Sequence, residues 1–151
     1  MITTAIELEF ADGVYLFDLK LPQMAELQEK RGCGLFAIYG RVLKGRYVVG
    51  GTVMASTSDA EAYPEDLFET IRLGLIGGGK GMVDGREVEV SPLRASQMVK
   101  RYCHEAPLRE SWALAATILG ARIEGFEPPK KDGPAKEPAA ESQTIESTSQ
   151  V

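Results

Sequence analysis

The stretch Pro107–Phe126, PLRESWALAATILGARIEGF, constrains this chain more than any other. Proline suits a first helical position, where no amide hydrogen bond is needed, and Gly125 supplies the backbone freedom that stops a helix. Between them lie about five helical turns. Leu108, Trp112, Ala115, Leu119 and Ile123 fall close to one stripe, with Leu114 and Ile118 beside it, and Ala113, Ala115 and Ala116 leave room for a close neighbour. A helix of this kind needs other elements to cover it, and Trp112 is its largest packing residue.

The chain is long enough to supply them. Its 151 residues, 44% apolar and 26% charged, predict one soluble domain with a core. A net charge of -5 argues against a protein that coats nucleic-acid phosphates, which needs a basic face. Cys33 and Cys103 are the only cysteines and no signal-like segment precedes them, so the expected setting is a reducing cytoplasm. No apolar run approaches the roughly 20 residues of a membrane span.

In residues 5–10, Ile6, Leu8 and Phe10 alternate with Glu7 and Glu9, and Ala11-Asp12-Gly13 is a hairpin signal. The returning strand places Tyr15, Phe17, Leu19 and Leu21 on one face. A lone hairpin is marginal in water, so it must pack on helices or recruit another strand. Pro22 opens a helix ending at Lys30-Arg31-Gly32, and a second helix runs from about Leu35 to Lys44. Residues 46–63 combine strand formers with Gly50-Gly51 and a polar run, which predicts an exposed hairpin or irregular loop. Pro64, Glu65 and Asp66 start a helix with Leu67, Phe68, Ile71 and Leu75 on its buried face, ended by Gly77-Gly78-Gly79. A small hairpin about Asp84-Gly85 follows, and then an amphipathic helix from Ser91-Pro92 to Ala106. From Glu127 onward the composition turns to Pro, Ala, Lys, Glu and Ser, which predicts a disordered tail over 127–151. The expected fold is α+β and mostly α-helical, with an N-terminal β-hairpin packed on a bundle of about five helices in a domain spanning 1–126.

Catalytic chemistry finds no support in the residues. Gly74–Gly81, GLIGGGKG, satisfies the first part of a phosphate-loop pattern, but Gly81 stands where Ser or Thr must hold magnesium. Helix termination accounts for the glycines. His104, the sole histidine, lies beside Cys103, and adjacent helical positions point about 100° apart, so the two do not share a centre. A surface histidine near a helix end is the plain reading. Cys33 beside Lys30 and Arg31 reads as a small packing residue before a turn. The carboxylate pairs Glu7 with Glu9 and Glu65 with Asp66 belong to an exposed strand face and a helix start, not to an acid–base cleft. No catalytic residue, cofactor or metal is assigned.

Three stretches together resemble the tail-assembly-chaperone-like family of phages and gene transfer agents: AELQEKRGCGLFAIYGRVLKG at 25–45, EDLFETIRLGLIGGG at 65–79, and the Ser-Trp-Ala-Leu helix at 107–126. The match rests on their combination and order, over about residues 5–127, and residues 46–63 stand out as longer than the family's usual link, as an insertion would. The resemblance implies a non-enzymatic role in building a phage-like tail. In the leading form the protein is a chaperone that binds the apolar tape-measure protein while tail tube protein assembles round it. In the alternative form it is a structural tube or minor tail protein retained in the particle. Homo-oligomers are compatible with both, and neither implies a nucleic acid, a membrane or a cofactor. A helical partner lies in an apolar groove at i, i+3, i+4 and i+7 spacing. The candidate surface is whatever part of Leu35, Phe36, Tyr39 and Leu43, or of Leu67 and Phe68, the core leaves uncovered.

Overall fold

Two hairpins, each announced by its own turn residues, join into one sheet. In the computed structural model, which describes residues 1–129, β1 (Ile6–Phe10) pairs with β2 (Gly13–Phe17) in antiparallel register from Ile6 opposite Phe17 to Phe10 opposite Gly13. After β2 come α1 (Leu21–Arg31), α2 (Leu35–Leu43), β3 (Arg46–Val49), β4 (Thr52–Ala55) and α3 (Pro64–Gly78). The chain then makes β5 (Lys80–Val83), β6 (Arg86–Glu89), α4 (Pro92–Val99) and α5 (Leu108–Glu124). β5 docks on β2 through Val14 opposite Met82 and Tyr15 opposite Gly81, giving a four-stranded sheet in the order β1-β2-β5-β6. The N-terminal hairpin thus both packs on helices and recruits strands. β3 and β4 form a separate two-stranded ribbon. The fold is α+β, with five α-helices among the described residues. The predicted tail falls mostly on residues 130–151, outside the described residues.

Alternation puts Tyr15, Phe17 and Leu19 fully inside, where they meet the helical layer. Leu21 does not continue that face. It opens α1 and is exposed, because Pro22 fits the first turn of a helix and ends the extended run. On α5, Trp112, Ala115, Ile118 and Leu119 are buried as their spacing predicts. Leu108, at the start of α5, is exposed. The amphipathic segment after Ser91 is α4 with a π-turn at Lys100–His104, so its last part is wider than a regular helix.

The centre of the fold is α3, which packs against β2, α1, α2, α4 and α5. Its glycines explain how. Gly74, Gly77 and Gly78 share one face at i, i+3 and i+4 spacing, and the helix runs through all of them before Gly79, at φ 73°, stops it. A Cβ on Gly77 would collide with the Asp18 carbonyl oxygen and one on Gly78 with that of Leu16. The amide of Asp18 donates to the Gly74 carbonyl across the same contact at 3.0 Å. The GLIGGGKG run is therefore a docking face for the backbone of β2 and its extension, not merely a helix stop and not a phosphate cradle. On an exposed helix Gly→Ala stabilises by roughly 1 kcal/mol. Here the collision wins, and Gly78→Ala should instead cost about 1 to 3 kcal/mol in thermal or urea unfolding. An unchanged or raised stability would contradict this packing.

Candidate interaction surface

Three features stand out once the core is accounted for: a buried ion cluster, a groove beside the sheet edge and an apolar ribbon. The cluster lies where α1, α2 and the start of α3 meet. Asp66 has no exposed side-chain surface, and its two oxygens accept from Arg31 Nε at 2.7 Å, Arg41 Nη2 at 2.7 Å, Arg41 Nε at 3.0 Å and the Tyr63 amide at 2.9 Å. Both guanidiniums also lie over the Tyr63 ring. The sequence reading of Asp66 as a helix-start acid holds, and the structure adds its burial. It does cap α3, but it also ties the last turn of α1 and the last turn of α2 to that helix. Nothing in a single sequence pairs Asp66 with arginines 35 and 25 residues away.

Burial alone would raise the Asp66 carboxyl, but the hydrogen bonds from Arg41, Arg31 and the Tyr63 backbone outweigh it and hold the group below the usual carboxylate range. The hydrogen bond to Asp66 likewise pushes the Arg41 guanidinium up. A carboxyl depressed in the folded state contributes stability in full above the unfolded aspartate value, about 3.9. That contribution is lost as pH falls below it through the folded value. The gap in melting temperature between the native chain and Asp66→Asn should therefore be constant down to about pH 5 and close at lower pH. A gap that stayed constant to about pH 2 would contradict the assignment.

Arg72, with Glu26, Glu69 and Lys30, forms a second, more exposed ion network between α1 and α3, and the candidate nucleophiles and acids of the sequence lie apart from one another. His104 is exposed, its ring centroid 4.6 Å from that of Phe68, while Cys103 is buried and its thiol is pushed up by that burial. Cys33 is half-buried near Arg41, and Glu7, Glu9 and Glu65 face solvent. Among the described residues no three His, Cys, Asp or Glu side chains gather to hold a metal. No helix there is long and apolar enough to cross a membrane.

Of the six candidate partner residues, Leu35 and Leu67 lie in the core. Tyr39 and Phe68 are half-covered and packed against it. Phe36, 75% exposed, and Leu43 remain on the surface of α2, seven residues apart and so on one face. The larger apolar surface is elsewhere. In the β3–β4 ribbon Tyr47, Val48, Val49, Val53 and Met54 are all exposed, and the register sets Tyr47 opposite Met54 and Val48 opposite Val53. One apolar pair thus lies on each face of the ribbon. Its root is fixed by the Arg46 guanidinium, 5.3 Å from the centre of the Trp112 ring, and by Gly45, whose carbonyl accepts from the Ser56 amide at 2.8 Å. The ribbon is the hairpin form of the exposed hairpin or irregular loop expected over 46–63.

The groove lies between β1 and the first half of α5. About 600 Å³ in volume, it is walled by Leu8, Phe10, Ala106 and Leu114, with Glu9 and Glu110 among its lining. It borders the outer edge of β1, which among the described residues pairs only on its β2 side.

The uncommitted features of this small α+β body are an apolar ribbon, an open sheet edge and a groove. The chain matches, over residues 3–125, the family model described as phage tail tube protein, GTA-gp10, and it belongs to that family of phage and gene transfer agent tail proteins. No curated protein and no solved structure matches it.

Proposed function

We propose that this protein is a structural component of a phage-like tail, of the tube class its family is named for, and that it acts through protein–protein contact rather than catalysis. The observation that carries the reading is the family match over 3–125, which spans every element of the fold. The exposed ribbon agrees with it. A two-stranded ribbon with bare valines on both faces is poorly stable in water and gains from burial in an assembly. This reading takes the structural alternative over the chaperone, because the family is described by the tube and not by its assembly factors.

Phe36 and Leu43 favour a second reading. They leave one apolar face of α2 uncovered, and a helical segment of a tape-measure protein would fit such a face during assembly. Quantitative mass spectrometry of purified particles separates the two. A tube component is retained in many copies, comparable to other tail proteins, whereas a chaperone is present in the producing cells and missing from the particles. Absence from particles that carry complete tails would reject the leading reading.

A further inference from the structure

The strap that joins β4 to α3, residues 56–63, spans a space it does not fill. Its start is held by the Ser56 amide on the Gly45 carbonyl. Gly45, at φ 93°, lies so close to it that a Cβ there would be 2.8 Å from the Ser56 carbonyl oxygen and 3.0 Å from the Ala60 nitrogen. Its end is held by Tyr63, whose amide donates to Asp66 and whose ring lies under two guanidiniums. Between these anchors the residues packed toward the core are the small Ala60 and Ala62. Beneath them lies a pocket of about 180 Å³, walled also by Pro64, Leu67 and Trp112, with the exposed Leu108 at its rim. Protein interiors are close-packed, and an unfilled apolar space forfeits contacts on every wall. Water gains little there, because Thr57 is the one neutral hydroxyl of the lining. A benzene-sized group fits such a space, as benzene enters an engineered apolar cavity of about 150 Å³.

Charge at the mouth narrows the class of guest. Arg109 is the one ionisable side chain of the lining, is exposed, and among the described residues has no carboxylate within ion-pair distance. Burial, and then the like charge of Arg109, lower the neighbouring Arg46 guanidinium, so positive charge is uncompensated here. Arg46 is committed to the Trp112 ring, whereas Arg109 is not. We propose that the pocket binds one benzene-sized apolar group carrying a carboxylate at its outer end, the apolar part against Trp112 and Leu67 and the carboxylate on Arg109. A free arylcarboxylate presents that chemistry, and so does an aromatic side chain of a partner polypeptide beside an acidic residue. Either guest covers the rim at Leu108. The site is independent of the tail-component reading.

The test uses the full chain and reads the emission of Trp112, the sole tryptophan and a wall of the pocket. Bromobenzoate, bromobenzyl alcohol and bromobenzylamine are probes of one size that carry a heavy-atom quencher and differ in charge. Bromobenzoate should quench saturably with a dissociation constant of about 1 mM, and the amine should bind at least about tenfold more weakly. Arg109→Gln alters an exposed side chain and should weaken bromobenzoate about threefold while leaving the alcohol unchanged. Ala62→Leu fills the pocket from the strap and should abolish saturable quenching by every probe without lowering the melting temperature. A blocked dipeptide of aspartate and bromophenylalanine separates the two sources. Tighter quenching than by bromobenzoate assigns the site to a partner's side chain, and weaker quenching assigns it to a free acid. Quenching that never saturates with any probe, or equal affinity for the acid and the amine, would overturn the inference.

Discussion

Asp66→Ala is expected to cost about 3 to 5 kcal/mol, enough to unfold much of the population at moderate temperature. The loss is larger than that of an ordinary ion pair because the carboxylate is fully buried and its partners largely so, with Arg31 and Arg41 side chains 16% and 26% exposed. Removing the acid leaves two guanidiniums facing each other without a counter-charge, and the Tyr63 amide without its acceptor. The cost belongs to the broken cluster, not to the net worth of the intact one. Replacing all three members, as Asp66→Leu with Arg31→Met and Arg41→Met, should therefore recover most of the stability in urea unfolding. A triple variant as unstable as Asp66→Ala would show that the charges themselves, and not their mismatch, hold α1 and α2 on α3.

Trp112→Ala should be comparably severe, at about 3 to 5 kcal/mol. The indole is buried, its Nε1 donates to the Val42 carbonyl at 2.7 Å, and Arg46 lies over its ring. Substitution opens a cavity between α2 and α5, leaves the carbonyl at the end of α2 unpaired and releases the root of the ribbon. Trp112→Phe separates these effects. It keeps much of the ring and loses the donor, so it should cost about 1 to 3 kcal/mol. If the two variants were equally destabilised, the hydrogen bond rather than packing would be the dominant contribution.

These two residues differ in how far the sequence discloses them. Trp112 sits on a stripe with Ala115 and Leu119, and helical periodicity alone marks it as core. Its partner, the Val42 carbonyl 70 residues away, carries no side-chain signature. Asp66 follows Pro64 at a helix start, and the local rule for acids in a first turn explained it so completely that no burial was suspected. Local rules also placed both hairpins, though only Asp84-Gly85 has the expected turn chemistry; in the first turn Ala11 takes the left-handed conformation, and Gly13 lies in β2, where a Cβ would meet the Met82 carbonyl. They could not tell that β5 pairs with β2, since alternation marks a strand without naming its neighbour.

The glycines of α3 show the same boundary. Read as punctuation, Gly77-Gly78-Gly79 ends a helix, and Gly79 does. Read by spacing, Gly74, Gly77 and Gly78 form a smooth face, and that face makes α3 rather than α5 the hub of the fold. The candidate surface was the least legible part. Leu35 and Leu67 are as apolar as Phe36 and Leu43, and only the packing of α2 and α3 decides which are covered.

The most direct test of the tail-component account is a side-chain-resolution density map of the purified particle's tail. The account predicts that residues 6–124, with the four-stranded sheet and five helices in their present arrangement, fit repeating density in the tail and that Val48 and Val53 are covered by a neighbouring subunit. A tail whose density is wholly explained by other chains would contradict it.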